Sequence, residues 1–332
     1  LEMQDVTSDQ VVVAAKPWGW YDGGEWRRMH LHTWTPANGQ IVEFWNKTYT
    51  GITNTNKAIY QIESGLIPVH TGKESLLAEL KVLRAAYYYL LCDLYGNVPY
   101  VTRFNVEPGF LPTQITRKAL YDSIINEVTT ALPYLSATVD KSTYGRFTKY
   151  GAHALLAKMY LNAGVYTGTH AWEDCIKQAD SIILSGKFGL DDDQRATFTY
   201  ENENSKEAIF AVPYDEKRAT GNILYYKTLN GQHEKTYDAK AGGGWGGCTM
   251  VPQFIDTYDP ADRRLTQNYI YGLQKASDGS TLTCSFGPVA GQPFVIHNDV
   301  PTVDSALEIH GYRLGKYEFK MGNLGQMSND YF

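Results

Sequence analysis

Apolar residues in the first half of the chain recur at helical intervals. Leu76, Leu80, Leu83, Tyr87, Leu91 and Leu94 follow one another at spacings of four, three, four, four and three, the period of one helix face. Gly96 suits the left-handed position that closes a helix, and Pro99 bars its resumption. A long, aromatic-rich helix is therefore expected from about Lys73, with one charge, Arg84, inside it. A guanidinium there needs a carboxylate, helix-end carbonyls or a route to water.

The same reading gives four more helices. Ile41, Trp45, Tyr49, Ile52, Ile59 and Ile62 mark one that runs to about Glu63; Asn54 and Asn56 interrupt its apolar face and are expected to bond to nearby loops. Thr116 is the N-cap candidate for a helix with Leu120, Ile124, Val128, Leu132 and Leu135 on one face. Thr148 opens another, with Leu155, Leu156, Met159 and Tyr160 as core and an end near Gly164. Trp172, Cys175, Ile176, Ala179, Ile182 and Ile183 mark the last, stopped by Gly186. Short connectors between such helices imply an all-α array of stacked hairpins, without a strict repeat signature.

Both flanks read differently. Trp18, Trp20, Trp26 and Trp34 fall within seventeen residues, and Gly19, Gly23 and Gly24 interrupt any helix there. Residues 1–40 are thus expected to be a loop region that displays rings. Beyond Gly186, Ala208–Val212 is a strand candidate, Gly242–Gly247 is a glycine loop around Trp245, Thr266–His297 is irregular or β-rich, and Tyr312–Lys320 is extended. The expected organisation is one domain, 1–332, with a helical scaffold at 41–186 and a loop-rich region, 187–332, packed on it.

Composition narrows the function. A chain of 332 residues, 43% hydrophobic, buries a sizeable core. A net charge of −6 argues against a nucleic-acid partner. No apolar run approaches the roughly 20 residues that span a bilayer. Of four cysteines, Cys92 and Cys175 lie on expected helices as small buried residues, while Cys248 and Cys284 are candidates for a bridge if the protein is exported.

Several blocks together resemble the SusD/RagB family of outer-membrane nutrient-binding lipoproteins. Leu83-Arg84-Ala85 followed by aromatics and Tyr95-Gly96-Asn97-Val98-Pro99 is similar to the family's signature helix. Gln4–Asp9, Gly145–Ala152, Ala154–Leu161, Pro252–Asp259 and Asp262-Arg263-Arg264 resemble further family blocks, so the resemblance runs from about Gln4 to Lys320. It implies a mainly α fold: a tetratricopeptide-like helical-hairpin array with long irregular loops and a few short strands. It also implies a surface glycan-binding protein that delivers oligosaccharide or polysaccharide to a SusC-like TonB-dependent transporter. The expected location is the extracellular face of the outer membrane, through a lipid anchor. The chain opens at Leu1 without an initiator Met, so the signal, the lipidated Cys and the anchor are expected upstream, and the family's further C-terminal helical stretch is expected beyond Phe332. Family alternatives are a peptide-binding import component or, outside it, a helical scaffold that binds protein.

The candidate chemistry is sugar recognition. A sugar ring offers axial C–H groups to an indole face and hydroxyls to polar side chains at its edge. Trp18, Trp20, Trp26, Trp34, Asn38 and Trp245 are the candidate ligand residues, with Tyr225, Tyr226 and Tyr237 as weaker ones; Trp45, at helical spacing, is expected in the core. No catalytic site is expected: carboxylates are plentiful but none carries a motif, and no nucleophile elbow, phosphate loop or dinucleotide fingerprint is present. No cofactor is expected either. His30 and His32 lack a third ligand at a matching spacing, and Asp191-Asp192-Asp193 is a Ca²⁺ candidate without EF-hand spacing.

Overall fold

The computed structural model describes residues 2–214, 224–239, 243–319 and 330–331. Gly242 and Lys320, named above, lie outside the described residues, as does the side chain of Tyr225. Contacts divide the chain into two compact units. One comprises Leu1–Val42, Asp191–Ser205 and Pro213–Asp330, and the other Glu43–Leu190, Lys206–Val212 and Tyr331–Phe332.

The second unit is the helical-hairpin array. Its helices are Lys73–Leu94, Arg117–Ala131, Lys149–Leu161, Ala163–Thr167 and Trp172–Ile183, together with most of Gly39–Glu63. The caps fall where expected: the Thr116 hydroxyl accepts from the Ala119 N–H and that of Thr148 from Gly151. Gly96 is left-handed, with φ +78°. The carbonyls at that helix end are taken by Arg117, whose Nε donates to Cys92 O at 2.7 Å and Nη2 to Asp93 O at 2.6 Å. Val98–Pro99 pairs with Gln114–Ile115 in a two-stranded ladder.

Two expectations about helix faces need correction. In the Lys73–Leu94 helix the fully buried stripe is Ala78, Val82, Ala85, Tyr88 and Cys92, while Leu76, Leu80, Leu83, Tyr87 and Leu94 are only half-buried. The buried stripe thus carries the small residues Ala78 and Ala85, while on the other face Tyr87 lies over Gly51, where a Cβ would overlap its ring. In the Trp172–Ile183 helix the apolar residues share one face, yet only its edge is covered: Ile182 is buried, whereas Trp172, Ile176 and Ile183 are exposed.

Arg84 is an internal tether. Its side chain is 6% exposed and that of its partner Glu127 is 11% exposed. Besides Glu127, Arg84 donates to Asn56 Oδ1 at 2.7 Å and to Thr102 O at 2.8 Å. Asn56 in turn donates to Val101 O at 2.9 Å, the loop contact expected of that residue.

The first unit is built differently. Val11–Val13 pairs antiparallel with Cys248–Met250, Tyr269–Ile270 with Arg313–Leu314, and Gly272–Leu273 with Val295–Ile296. Two-stranded pieces of this size are not stable alone. They are covered by small apolar clusters instead, one around Val6, Val13, Trp26 and Met29, another around Leu282, Val289, Phe294 and Ile296. The ring-bearing segment is not simply loop: Trp26 and His30 lie on the short helix Glu25–His30, entered through left-handed Gly24. All four cysteines are free, so Cys248 and Cys284 do not pair.

Candidate functional site

The chain turns tightly at Lys16–Gly19, closed by Lys16 N–H to Gly19 O at 2.9 Å and Gly19 N–H to Lys16 O at 3.0 Å. This raises Trp18. Trp20 follows with φ +68°, a left-handed conformation rare for a bulky residue and costing on the order of 1–3 kcal/mol. It is held there through its indole N–H, which donates to Trp245 O at 2.8 Å; Trp18 Nε1 reaches the same carbonyl at 3.3 Å. One backbone oxygen thus fixes two indoles 225 and 227 positions away in sequence.

The result is an open cavity of about 640 Å³ bordered by Trp18, Trp20, Trp26, Trp245 and Phe286. That volume lies within the roughly 300–1,000 Å³ of small-ligand sites. Trp18 stacks on Phe286, with centroids 4.9 Å apart, and Trp245 packs on Tyr226 at 4.9 Å. Trp245 is 55% exposed. Gly247 passes beneath Trp20, where a Cβ would lie 2.5 Å from the indole.

Of the six candidate ligand residues, four border this cavity: Trp18, Trp20, Trp26 and Trp245. They do not contribute equally. Trp26 is buried, and its indole N–H donates to Asp22 Oδ2 at 2.6 Å. Trp34 is exposed but does not border the cavity, and it meets His32 edge-on at 5.4 Å. Asn38 is 1% exposed and its amide is engaged internally: Oδ1 accepts from Thr35 N–H at 3.2 Å and Arg28 Nε at 3.4 Å, while Nδ2 donates to Glu25 O at 3.4 Å. It ties the Glu25–His30 helix to the start of the next and offers little to a ligand. Tyr237, half-buried against Phe319, has its hydroxyl pKa pushed up to about 12 by burial.

The floor of the cavity includes residues the sequence did not point to. Lys227 places Nζ 5.2 Å from the Trp26 ring centroid and 5.9 Å from that of Trp20, a cation–π range. Asn230 and Gln232 border the cavity and connect it to a buried polar network. Arg313, fully buried, donates to Asn230 Oδ1 at 3.1 Å, to Glu308 O at 2.7 Å, to His310 O at 2.8 Å and to Gly311 O. Burial lowers its pKa to about 10 and that of His233 to about 4. Lys16 Nζ reaches Gly247 O at 2.9 Å and Ala14 O at 3.3 Å. Burial first, and the Arg313 charge second, lower its pKa to about 7. Nothing in the local sequence around Gln232, Glu308 or Arg313 marks them; Glu308 stands between Leu307 and Ile309 like any solvated carboxylate in a short apolar run.

Metal ligation has no support among the described residues, where no group of three or more His, Cys, Asp or Glu side chains converges. His30 ends a helix and His32 has φ +55°, so they do not share a strand face. Asp193 caps a 3₁₀ turn by accepting from Arg195 N–H, and Asp191 accepts from Ser205 Oγ at 2.5 Å.

A SusD-like family model, described as starch-binding and associating with the outer membrane, matches residues 4–161. The starch-binding protein SusD of Bacteroides thetaiotaomicron is 27% identical over 195 residues, covering 58% of this chain and 33% of that protein. Over residues 4–161 the chain is thus similar to the SusD-like family. A SusD-like protein of Bacteroides ovatus is 25% identical over 190 residues, covering 54% of the chain and 34% of the relative. The chain thus spans about a third of the length of these two relatives. Surface glycan-binding protein A from Bacteroides uniformis superposes with a TM-score of 0.75 at 19% identity, over 99% of this chain and 66% of that one. The Bacteroides thetaiotaomicron protein of the same name, solved with laminarihexaose, gives 0.74 at 20% identity, over 99% and 69%. At such identities the likeness establishes the SusD-like fold, including its tetratricopeptide-like helical arrangement.

Proposed function

We propose that this SusD-like protein binds an oligosaccharide, or a segment of a polysaccharide, at the tryptophan-bordered cavity of its first unit, without performing chemistry on it. The observation that carries this reading is the shared use of the Trp245 carbonyl by Trp18 and Trp20. With their polar edges tied down, the indoles are left with their apolar faces to offer. A sugar ring supplies C–H groups to those faces, worth about 0.5–1.5 kcal/mol per ring by analogy with aromatic pairs. Gln232 and Lys227 supply polar contacts at the edge.

The family's description as starch-binding and outer-membrane-associated supports a place at the cell surface. In this proposal the protein is lipid-anchored there and passes its glycan to a SusC-like TonB-dependent transporter. Titration calorimetry against starch, laminarin and their oligosaccharides, alongside a panel of oligopeptides, tests the cargo. Heat from a glycan and none from peptides is expected. The reverse would make the protein a peptide-import component. Product release from a labelled glycan would remove the non-enzymatic reading. Co-purification of the protein with the transporter tests the partner.

A further inference from the structure

Gln232 borders the aromatic cavity, and its amide orientation is set from behind. Its Nε2 donates to Ser285 Oγ at 3.0 Å and to the carboxylate of Glu308. Glu308 is fully buried, and its other oxygen accepts from Ser285 N–H at 2.6 Å and Phe286 N–H at 2.7 Å. A carboxylate so placed only accepts, so the neighbouring amide must turn its NH₂ toward it. The Gln232 Oε1 then has no partner among the described residues and is not enclosed by protein. It is an acceptor on the cavity side.

From this we infer that Gln232 is a specificity-determining residue of the proposed glycan site, and that Glu308 is its positioning residue. The inference rests on the reading that the cavity binds glycan. A fixed acceptor takes a hydroxyl or an amide N–H from a neutral sugar. It repels a carboxylate or sulfate oxygen, which has no proton to give and would leave two acceptors facing each other. The charges that border the cavity do not reverse this preference: Lys227 and Asp22 are both present and opposite in sign. Glu308 also holds Phe286, on which Trp18 stacks, so the same carboxylate sets both the polar contact and one apolar wall.

The substitution Glu308→Gln separates the two roles. The backbone N–H groups of Ser285 and Phe286 still require an acceptor, so the introduced amide must offer them its oxygen and aim its NH₂ at Gln232. Gln232 then rotates, its oxygen inward and its NH₂ toward the cavity; the Ser285 hydroxyl serves as donor or acceptor and permits the rotation.

Nuclear magnetic resonance of protein labelled with ¹⁵N-glutamine reads this directly. The Gln232 side-chain signal is assigned by its loss in Gln232→Met, and its hydrogen exchange is measured in wild type and in Glu308→Gln. Slow exchange in wild type and fast exchange in the variant are expected. Fast exchange in wild type would overturn the inference whatever the cargo proves to be. The second arm is affinity for soluble starch and laminarin and for their C6-oxidised, uronate-bearing forms. Wild type is expected to prefer the neutral glycan, Gln232→Met to lose about 3- to 10-fold on it, and Glu308→Gln to narrow the neutral-to-acidic preference by a similar factor while folding normally. An unchanged preference in both variants, beside lost binding in Trp245→Ala, overturns this inference and leaves the glycan site standing. Unchanged binding in Trp245→Ala removes the site itself, and the role of Gln232 with it.

Discussion

Each compact unit buries an arginine, and the two are held in different ways. Arg84, in the helical unit, meets the carboxylate of Glu127 one helix away, with Asn56 and a loop carbonyl completing its shell. Arg313, in the other unit, meets mainly backbone carbonyls and an asparagine, Asn230, that borders the cavity. The first arginine fixes regular elements to one another. The second fixes irregular backbone that has no ladder of its own, and that backbone carries the proposed site. A loop-built site needs buried polar groups to stand in for secondary structure.

Removing each arginine is the strongest way to break this contrast. Arg84→Met leaves Glu127 nearly buried without its cation, and Arg313→Met leaves several buried acceptors unsatisfied. Each is expected to lower stability by about 3–5 kcal/mol in urea unfolding. At a temperature where both variants remain folded, Arg84→Met should bind glycan like wild type, and Arg313→Met should lose affinity. Equal affinity in the two variants would mean that the network does not support the site.

Next in size is a pH effect confined to the first unit. Lys16, with its pKa lowered in the fold to about 7 from an ordinary 10.5, binds fewer protons folded than unfolded between those values. Stability therefore rises with pH from about 7 upward, with a slope approaching about 1.4 kcal/mol per unit for one proton. The neutral amine still supplies two N–H groups for Gly247 O and Ala14 O. Unfolding of wild type and Lys16→Met at pH 7 to 8 should show the rise only in wild type, below the range where cysteines and tyrosines ionise in the unfolded chain.

The smallest effect comes from a pair of glycines. In Gly247→Ala the methyl meets Trp20, and in Gly51→Ala it meets Tyr87. Overpacking costs about 1–3 kcal/mol, but Gly51 is helical and regains up to about 1 kcal/mol of helix propensity. Gly51→Ala should therefore be the milder in thermal unfolding and silent in binding, whereas Gly247→Ala should weaken binding by tilting Trp20.

The same contrast separates what was legible in the sequence. The helices, their Thr116 and Thr148 caps, the Gly96 stop and the tether at Arg84 all follow from intervals of three or four residues and from local cap chemistry. The buried seam was misplaced, because periodicity shows that a face is apolar but not which of two faces meets the closer neighbour. Along Lys73–Leu94 the small residues Ala78 and Ala85 took the seam. In the site, the clustering of tryptophans was visible, yet its geometry depends on contacts over more than two hundred positions, such as Trp20 to Trp245. Asn38 carried the right chemistry for a sugar, but local backbone took its amide first. Gln232 and Glu308 are 76 positions apart and carry no motif, so their pairing has no local trace.

The central claim is that glycan meets the rings that border the cavity, Trp245 among them, and not the exposed ring of Trp34. Calorimetric titration of one binding glycan into wild type, Trp245→Ala and Trp34→Ala decides it. The account predicts a loss of about tenfold or more in Trp245→Ala, with Trp34→Ala close to wild type. Retained affinity in Trp245→Ala together with a loss in Trp34→Ala would contradict it.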